Sequence, residues 1–256
     1  MTKDQKLKNT IGIIPARYGS TRLEGKPLVD ICGKTMIQRV YEQVKKALNN
    51  VVVATDDKRI FDVVKSFGGE VVMTSKNHTT GTNRCLEAFE IYQEQTDVIF
   101  DVVLNIQGDE PLLEPEQISS LIYCFEDNNT QMATLVIPSN SQEELNSGVF
   151  VVFNKNNEAM YFSRAVIPVI RDENFNKWSS NNIFYKHVGM YGFTPKTLKE
   201  FANMQETNLE KNEKLEQLRW LENGNKIKIA VTLHNSIPVD TLEDVDKVIR
   251  IISNSQ

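Results

Sequence analysis

Cysteine and histidine are scarce in this chain of 256 residues, with three of each, scattered as Cys32, Cys85, Cys124 and His78, His187, His234. Without a CxxC pair or a His–Cys cluster, a disulfide scaffold is excluded and no zinc site is expected, so the thiols read as buried and free. Positive charge is in deficit, 29 Lys plus Arg against 34 Asp plus Glu for a net charge of −5. That argues against a nucleic-acid or membrane-surface partner, since both need a basic face. Long apolar runs are missing too. No stretch approaches the roughly 18 apolar residues of a membrane span, and Met1–Thr10 is polar with no apolar segment behind it. No membrane insertion is expected, and the protein should stay in the cytoplasm. With only 12 Gly and 8 Pro beside 40% hydrophobic and 25% charged residues, the chain is neither collagen-like nor disordered.

What the sequence does contain is a regular alternation. Short β-branched runs at Ile11–Pro15, Val51–Ala54, Glu70–Met73, Val98–Gln107 and Met132–Ile137 read as strands. Between them, Met36–Leu48, Ile60–Phe67, Asn83–Gln93 and Glu116–Glu126 read as amphipathic helices. Unbroken apolar runs such as Val51-Val52-Val53 fit strands covered on both faces, so the pattern predicts an α/β fold with a doubly wound, mostly parallel sheet. After Pro138 the rhythm breaks. Strands are expected at Val149–Phe153 and Val188–Phe193, then a helix over Glu213–Glu222, a strand over Ile227–Leu233 and a helix over Leu242–Ile252. No repeat or linker marks a boundary, so residues 1–256 read as a single domain with a smaller antiparallel excursion at about 138–193.

Open parallel sheets bind ligands beyond the carboxyl ends of their strands, which directs attention to three segments. Pro15–Pro27 follows the first strand, Gln107-Gly108-Asp109-Glu110-Pro111 follows the fourth, and Val239-Asp240-Thr241 precedes the last helix. The first concentrates Arg17, Arg22 and Lys26 with Gly19 and Gly25. Glycines that let backbone N–H groups approach, with Arg and Lys to match an anion, are what a polyphosphate requires; a solvated basic turn is the plainer reading. The loop is not a Walker A motif, because five residues separate Gly19 from Gly25 and Pro27 follows Lys26 where a hydroxyl residue is needed. No GxGxxG fingerprint is present, which counts against a dinucleotide oxidoreductase.

The run Ile13-Ile14-Pro15-Ala16-Arg17-Tyr18-Gly19-Ser20-Thr21-Arg22-Leu23-Glu24-Gly25-Lys26-Pro27-Leu28 closely resembles the signature of the 3-deoxy-manno-octulosonate (Kdo) cytidylyltransferases, the CMP-Kdo synthetases. The resemblance extends from Ile11 to about Ile252 through Ala54-Thr55-Asp56-Asp57, Met73-Thr74-Ser75, Gly81-Thr82-Asn83-Arg84, the segment 105–111, Tyr161-Phe162-Ser163-Arg164, the segment 186–191, Leu215-Glu216-Gln217-Leu218-Arg219 and Val239-Asp240-Thr241. Each block alone is weak, but their order is specific. The resemblance implies a homodimer with a nucleotide-diphospho-sugar transferase-like fold that uses CTP, Kdo and Mg²⁺ to make CMP-Kdo and pyrophosphate for lipopolysaccharide biosynthesis.

The resemblance also implies roles. Asp109 and Asp240 would hold Mg²⁺, and Arg22 and Lys26 would stabilise the leaving pyrophosphate. Pro15, Ala16, Arg17, Ser20, Thr74, Arg84 and Gln107 would bind nucleotide. The acceptor sugar would meet Gln107, Arg164, His187, Tyr191, Glu216 and Gln217. Plainer readings stand beside several of these. Asp240 suits a helix N-cap, since Thr241 and Asp244 have capping-box spacing; Asp109 suits a turn; Arg84 suits a surface salt bridge; His187 suits a satisfied strand residue; Glu216 and Gln217 suit an exposed helix face. Three positions depart from the family pattern: Glu24 where proline is usual, Asn83 where an acidic residue is usual, and Gly148-Val149-Phe150 without its usual lysine. None falls on the phosphate or metal residues, so catalysis is expected to be retained. The alternatives are an 8-amino Kdo derivative or a sialic acid as acceptor, and, more remotely, nucleotide binding without turnover.

Overall fold

The computed structural model describes residues 8–19 and 22–254. The chain begins with β1 (Thr10–Ala16), a small hairpin of β2 (Asp30–Ile31) and β3 (Lys34–Thr35), α1 (Met36–Ala47), β4 (Asn50–Thr55), α2 (Lys58–Ser66) and β5 (Val71–Met73). It continues through α3 (Gly81–Thr96), β6 (Val102–Asn105), α4 (Pro115–Tyr123) and β7 (Met132–Ser139). The remainder holds β8 (Phe150–Phe153), β9 (Ala159–Ser163), α5 (Trp178–Asn181), β10 (Phe184–Phe193), α6 (Pro195–Asn203), α7 (Asn208–Glu213), α8 (Leu218–Glu222), β11 (Lys228–Val231) and α9 (Leu242–Asn254).

The central sheet has the order β11-β7-β10-β6-β1-β4-β5. Neighbours run parallel except around β10, which lies antiparallel between β6 and β7. This is the mostly parallel, doubly wound sheet expected from the alternation. The apolar runs are continuous because each strand feeds two layers. Val51 and Val53 pack with Ile37, Val40 and Val44 of α1, whereas Val52 and Ala54 pack with Cys85, Ala88 and Phe89 of α3 on the other face. Ile14 and its neighbour Ile13 divide in the same way. A third cluster docks α9, through Val245 and Val248, against Ile31, Met36 and Val239. That contact carries the segment before α9 to the carboxyl ends of β1 and β6.

Helix α6 has no counterpart in the sequence reading, Cys32 is exposed where the thiols read as buried, and three further features differ. Strand β10 begins at Phe184, ahead of the expected Val188, because Phe184–Val188 pairs with Leu135–Ser139 of β7. Tyr161-Phe162-Ser163 is a strand, β9, hairpinned to β8. The helix expected over Glu213–Glu222 is broken: Lys214 takes a left-handed φ of 54° that ends α7, and Leu215–Gln217 form a turn before α8.

That turn stands on a buried ion pair. Arg219 donates from Nε and Nη2 to the two Glu210 carboxylate oxygens at 2.8 and 2.6 Å, and its Nη1 reaches the Phe201 and Met204 carbonyls at 3.4 and 3.2 Å. Only 9% and 7% of the two side chains is exposed. Removing one partner strands the other as an unpaired buried charge. Glu210→Ala is therefore expected to lower the unfolding free energy by about 3 kcal/mol in urea denaturation; a loss under about 1 kcal/mol would show that the pair does not anchor the turn.

Candidate active site

The loops after β1 and β6 meet over a cleft of about 320 Å³ whose wall includes Pro15, Ala16, Arg17, Arg22, Lys26, Arg84, Gln107, Asp109 and Asp240. Their approach requires glycine at position 108, where an added Cβ would lie 2.9 Å from the Pro15 carbonyl oxygen. The basic loop and the acidic turn, far apart in sequence, are thereby brought to one place. Ser20 lies outside the described residues.

At the floor of the cleft, Lys26 Nζ lies 2.6 Å from Asp109 Oδ2 and 3.1 Å from Asp240 Oδ1, and Arg22 Nη2 lies 3.0 Å from the same Asp240 oxygen. Asp240 does not cap α9. Thr241 takes that role, accepting the Asp244 N–H at 3.3 Å, while Asp244 accepts the Asp240 and Thr241 N–H groups at 3.2 and 3.1 Å. The Asp240 carboxylate is left to face the cations. Two contacts fasten the aspartate segments together: the Val239 N–H donates to the Asp109 carbonyl at 2.9 Å, and the Ser236 hydroxyl donates to the buried Glu110 carboxylate. Burial pushes the Glu110 carboxyl up to about 7 despite the Ser236 bond, and Asp109 adds to the rise.

Two carboxylates converging on one ammonium form a place built for positive charge. Among the described residues no group of three or more His, Cys, Asp or Glu could hold a metal alone. Asp109 and Asp240 fit a hard cation that draws its other oxygens from phosphate and water, which is the habit of Mg²⁺ and not of a fully caged metal.

On another wall Arg84 is only 4% exposed, so it is not a surface salt bridge. Its guanidinium is fixed by Asp56 Oδ2 at 2.7 Å, Thr74 Oγ1 at 2.6 Å and the Ser75 carbonyl at 3.4 Å. Thr74 therefore stands behind Arg84. Asp56, the counterion, carries no local signal in the sequence beyond its place in the Ala54–Asp57 block.

Of the remaining predicted residues Gln107 lines the cleft, whereas Arg164, His187, Tyr191, Glu216 and Gln217 lie outside its lining. Gln107 donates from Nε2 to the Gly189 carbonyl at 2.7 Å, where β10 bulges between Val188 and Tyr191. Tyr191 donates from its hydroxyl to Gln217 Oε1 at 2.9 Å, and Thr82 donates to Glu216 Oε2 at 2.7 Å. Glu216 Oε1 and Gln217 Nε2 are buried with no partner among the described residues, and burial raises the Glu216 carboxyl above its ordinary value. These two side chains are not an exposed helix face. His187 lies with Nε2 2.8 Å from Thr134 Oγ1 and its ring edge-on to Phe162, and burial pushes its pKa down to about 3. Its ring also packs beside Tyr191. Arg164 is exposed and turns to α7, donating from its N–H to Glu213 Oε2 at 2.9 Å, from Nε to the Glu213 carbonyl at 2.6 Å and from Nη2 to the Lys214 carbonyl at 3.2 Å.

A mostly parallel sheet with a cationic loop after its first strand, paired aspartates at the strand ends and a buried arginine fork defines a nucleotidyltransferase. The family model for cytidylyltransferases matches residues 11–227. The chain is 53% identical over 250 residues to a 3-deoxy-manno-octulosonate cytidylyltransferase of Parabacteroides distasonis, covering 95% of this chain and 98% of that one. It is 49% identical to that of Fusobacterium nucleatum, covering 96% and 97%. A solved CMP:2-keto-3-deoxy-manno-octonic acid synthetase complexed with CTP superposes with a TM-score of 0.87 at 36% identity, covering 97% of this chain and 100% of that one. The chain belongs to the 3-deoxy-manno-octulosonate cytidylyltransferase family.

Glu110 gives the site a pH-dependent stability. Its folded pKa of about 7 lies above the ordinary glutamate value of 4.5, so the folded state binds the proton more tightly and stability falls as pH rises through that window. Glu110→Gln keeps a neutral group throughout and abolishes the fall. Between about pH 5 and about pH 8 the wild type should lose on the order of 2 kcal/mol relative to this variant in urea denaturation; parallel pH profiles would contradict the assignment.

Proposed function

We propose that this chain transfers a cytidylyl group from CTP to 3-deoxy-D-manno-octulosonate, releasing pyrophosphate. The observation that carries the reading is the convergence of Arg22 and Lys26 with Asp109 and Asp240 at the strand ends, beside a cleft walled by Arg84. The CTP complex of a relative covering 97% of this chain, and the names of relatives covering nearly all of it, support both substrates.

In this reading Arg17, Arg22 and Lys26 bind the triphosphate, and Arg22 and Lys26 neutralise charge that grows on the leaving pyrophosphate. Asp109 and Asp240 would hold Mg²⁺, which when bound offsets phosphate charge and lowers the pKa of the acceptor hydroxyl. Pro15 and Ala16 bound the nucleotide side of the cleft. Arg84, held rigid by Asp56 and Thr74, donates to the O2 and N3 acceptors of cytosine; uracil presents a donor at N3 and is disfavoured. Glu216 and Gln217 supply an acceptor and a donor for sugar hydroxyls, because Glu216 Oε1 and Gln217 Nε2 are buried and unpaired. Gln107 lies between the two halves. Reaction is then a matter of alignment and charge, with no protein nucleophile. The reading includes a cytoplasmic homodimer joined through the excursion, where Met160, Val169 and Ile183 are exposed. No helix among the described residues is long and apolar enough to cross a membrane.

The deciding experiment is incubation with CTP, Mg²⁺ and a panel of 3-deoxy-ulosonic acids that includes 8-amino and sialic forms, with mass spectrometry of the CMP-sugar and a pyrophosphate assay. Kdo is expected to be the best acceptor and UTP a poor donor. Asp109→Ala should abolish pyrophosphate release, and near-normal release from it would overturn the metal assignment. Glu216→Gln should raise KM for the acceptor while leaving KM for CTP unchanged, and the reverse pattern would remove Glu216 from the sugar side.

A further inference from the structure

The basic loop that presents Arg17, Arg22 and Lys26 is closed on itself at Tyr18 and Gly25. The Gly25 N–H donates to the Tyr18 carbonyl at 3.0 Å. An added Cβ at Gly25 would come within 3.1 Å of the hydroxyl end of the Tyr18 ring, so the ring lies directly on that glycine. Over the same ring sits the guanidinium of Arg59, 3.3 Å from its centroid. Arg59 belongs to α2, at the carboxyl end of β4, and does not line the cleft. Asp57, the N-cap of α2, holds it in a fork, accepting from Nε at 2.9 Å and from Nη2 at 2.7 Å. A surface arginine is thus aimed by a carboxylate that is itself fixed by a helix start.

The turn beneath has reason to need an external hold. The Lys26 N–H donates to the Leu23 carbonyl at 3.2 Å, and Gly25, at φ 68° and ψ 18°, has the dihedrals of the third position of a type II turn. The second position favours proline, whose ring presets φ. Here it is Glu24, which leaves that torsion unlocked. Its charge instead acts favourably on Arg59.

We infer that Arg59 is a positioning residue for CTP: stacked on Tyr18 and aimed by Asp57, it fixes the loop that delivers Arg17, Arg22 and Lys26 to the triphosphate. The inference rests on the proposed use of CTP. Arg59 touches neither substrate. It reduces the number of loop arrangements that must be given up when the triphosphate binds, an effect that falls on nucleotide affinity and not on the acceptor.

Steady-state pyrophosphate release, with thermal melting, tests this in the wild type, Arg59→Ala, Arg59→Lys and the double variant Arg59→Ala with Glu24→Pro. Arg59 is 57% exposed, so Arg59→Ala is expected to fold. It should raise KM for CTP about fivefold while KM for the acceptor and the melting temperature stay as in the wild type. Arg59→Lys keeps a cation over the ring without the fork and should fall between. Glu24→Pro, by locking the turn covalently, should return KM for CTP in the double variant to within about twofold of the wild type. An unchanged KM for CTP in Arg59→Ala, a rise shared by the acceptor KM and a lowered melting temperature, or failure of Glu24→Pro to restore CTP would each overturn the assignment. A wild type that releases no pyrophosphate defeats the proposed function instead; calorimetric CTP affinity of the same variants then decides the clamp separately, with the same ratios expected and equal affinities overturning it.

Discussion

Two aspartates and two cations in one small space set the terms for the rest of the molecule. Asp109 and Asp240 share the ammonium of Lys26, and Arg22 covers the second aspartate. Carboxylates gathered this closely repel unless positive charge lies between them. Lys26 meets that need, and its position right after Gly25 couples the basic loop to both acidic segments. The same cations match a triphosphate and the same anions match a divalent ion. Mutual neutralisation is therefore also what keeps the two charge sets gathered at one point of a chain whose overall balance is mildly acidic.

Backbone contacts make that gathering possible. The turn after β6 reaches the end of β1 only because position 108 lacks a Cβ, and the segment before α9 is tied to the same turn by Val239 N–H to Asp109 and by Ser236 to Glu110. The apolar seat of α9 on Ile31 and Met36 lies directly behind. An apolar contact and two hydrogen bonds thus specify where a charged side chain stands, which is how a site on loops acquires the rigidity of the elements beneath it.

Much of this could be read from the sequence because it is local. The strands of the first half, their cover on both faces and the placing of charged motifs just beyond strand ends all follow from runs of a few residues such as Val51-Val52-Val53 and from Gly-rich or acidic turns. The parts that escaped depend on distant partners or on single torsions. Nothing near Arg84 in the chain says that Asp56 fixes it, and nothing near Glu110 says that Ser236 will reach it. The period around Glu213–Glu222 is helical, yet the left-handed Lys214 breaks it, because the turn it permits leaves Arg219 on its buried pairing with Glu210. Asp240 carried two readings in the sequence, and the capping geometry of Thr241 and Asp244 separates them.

On the proposed function, the acceptor side follows a different logic from the phosphate side. Phosphate charges are met by charges already paired, whereas Glu216 Oε1 and Gln217 Nε2 are buried and unpaired. Each such atom costs about 1–3 kcal/mol in the folded protein, and burial raises the Glu216 carboxyl in the direction that penalises its ionised form. The buried pair of Arg219 with Glu210 lies just beneath and holds the turn that keeps these atoms in place. On the proposed function, that cost is recovered only by a ligand whose hydroxyls complete the missing hydrogen bonds. A sugar acid lacking the matching hydroxyl would leave the same atoms unpaired in the complex, and a site of that kind rejects such analogues far more strongly than an apolar pocket rejects a misfit methyl group. On that reading, acceptor choice resides less in attraction to the sugar's charge than in Glu216 Oε1 and Gln217 Nε2, which the fold leaves without partners.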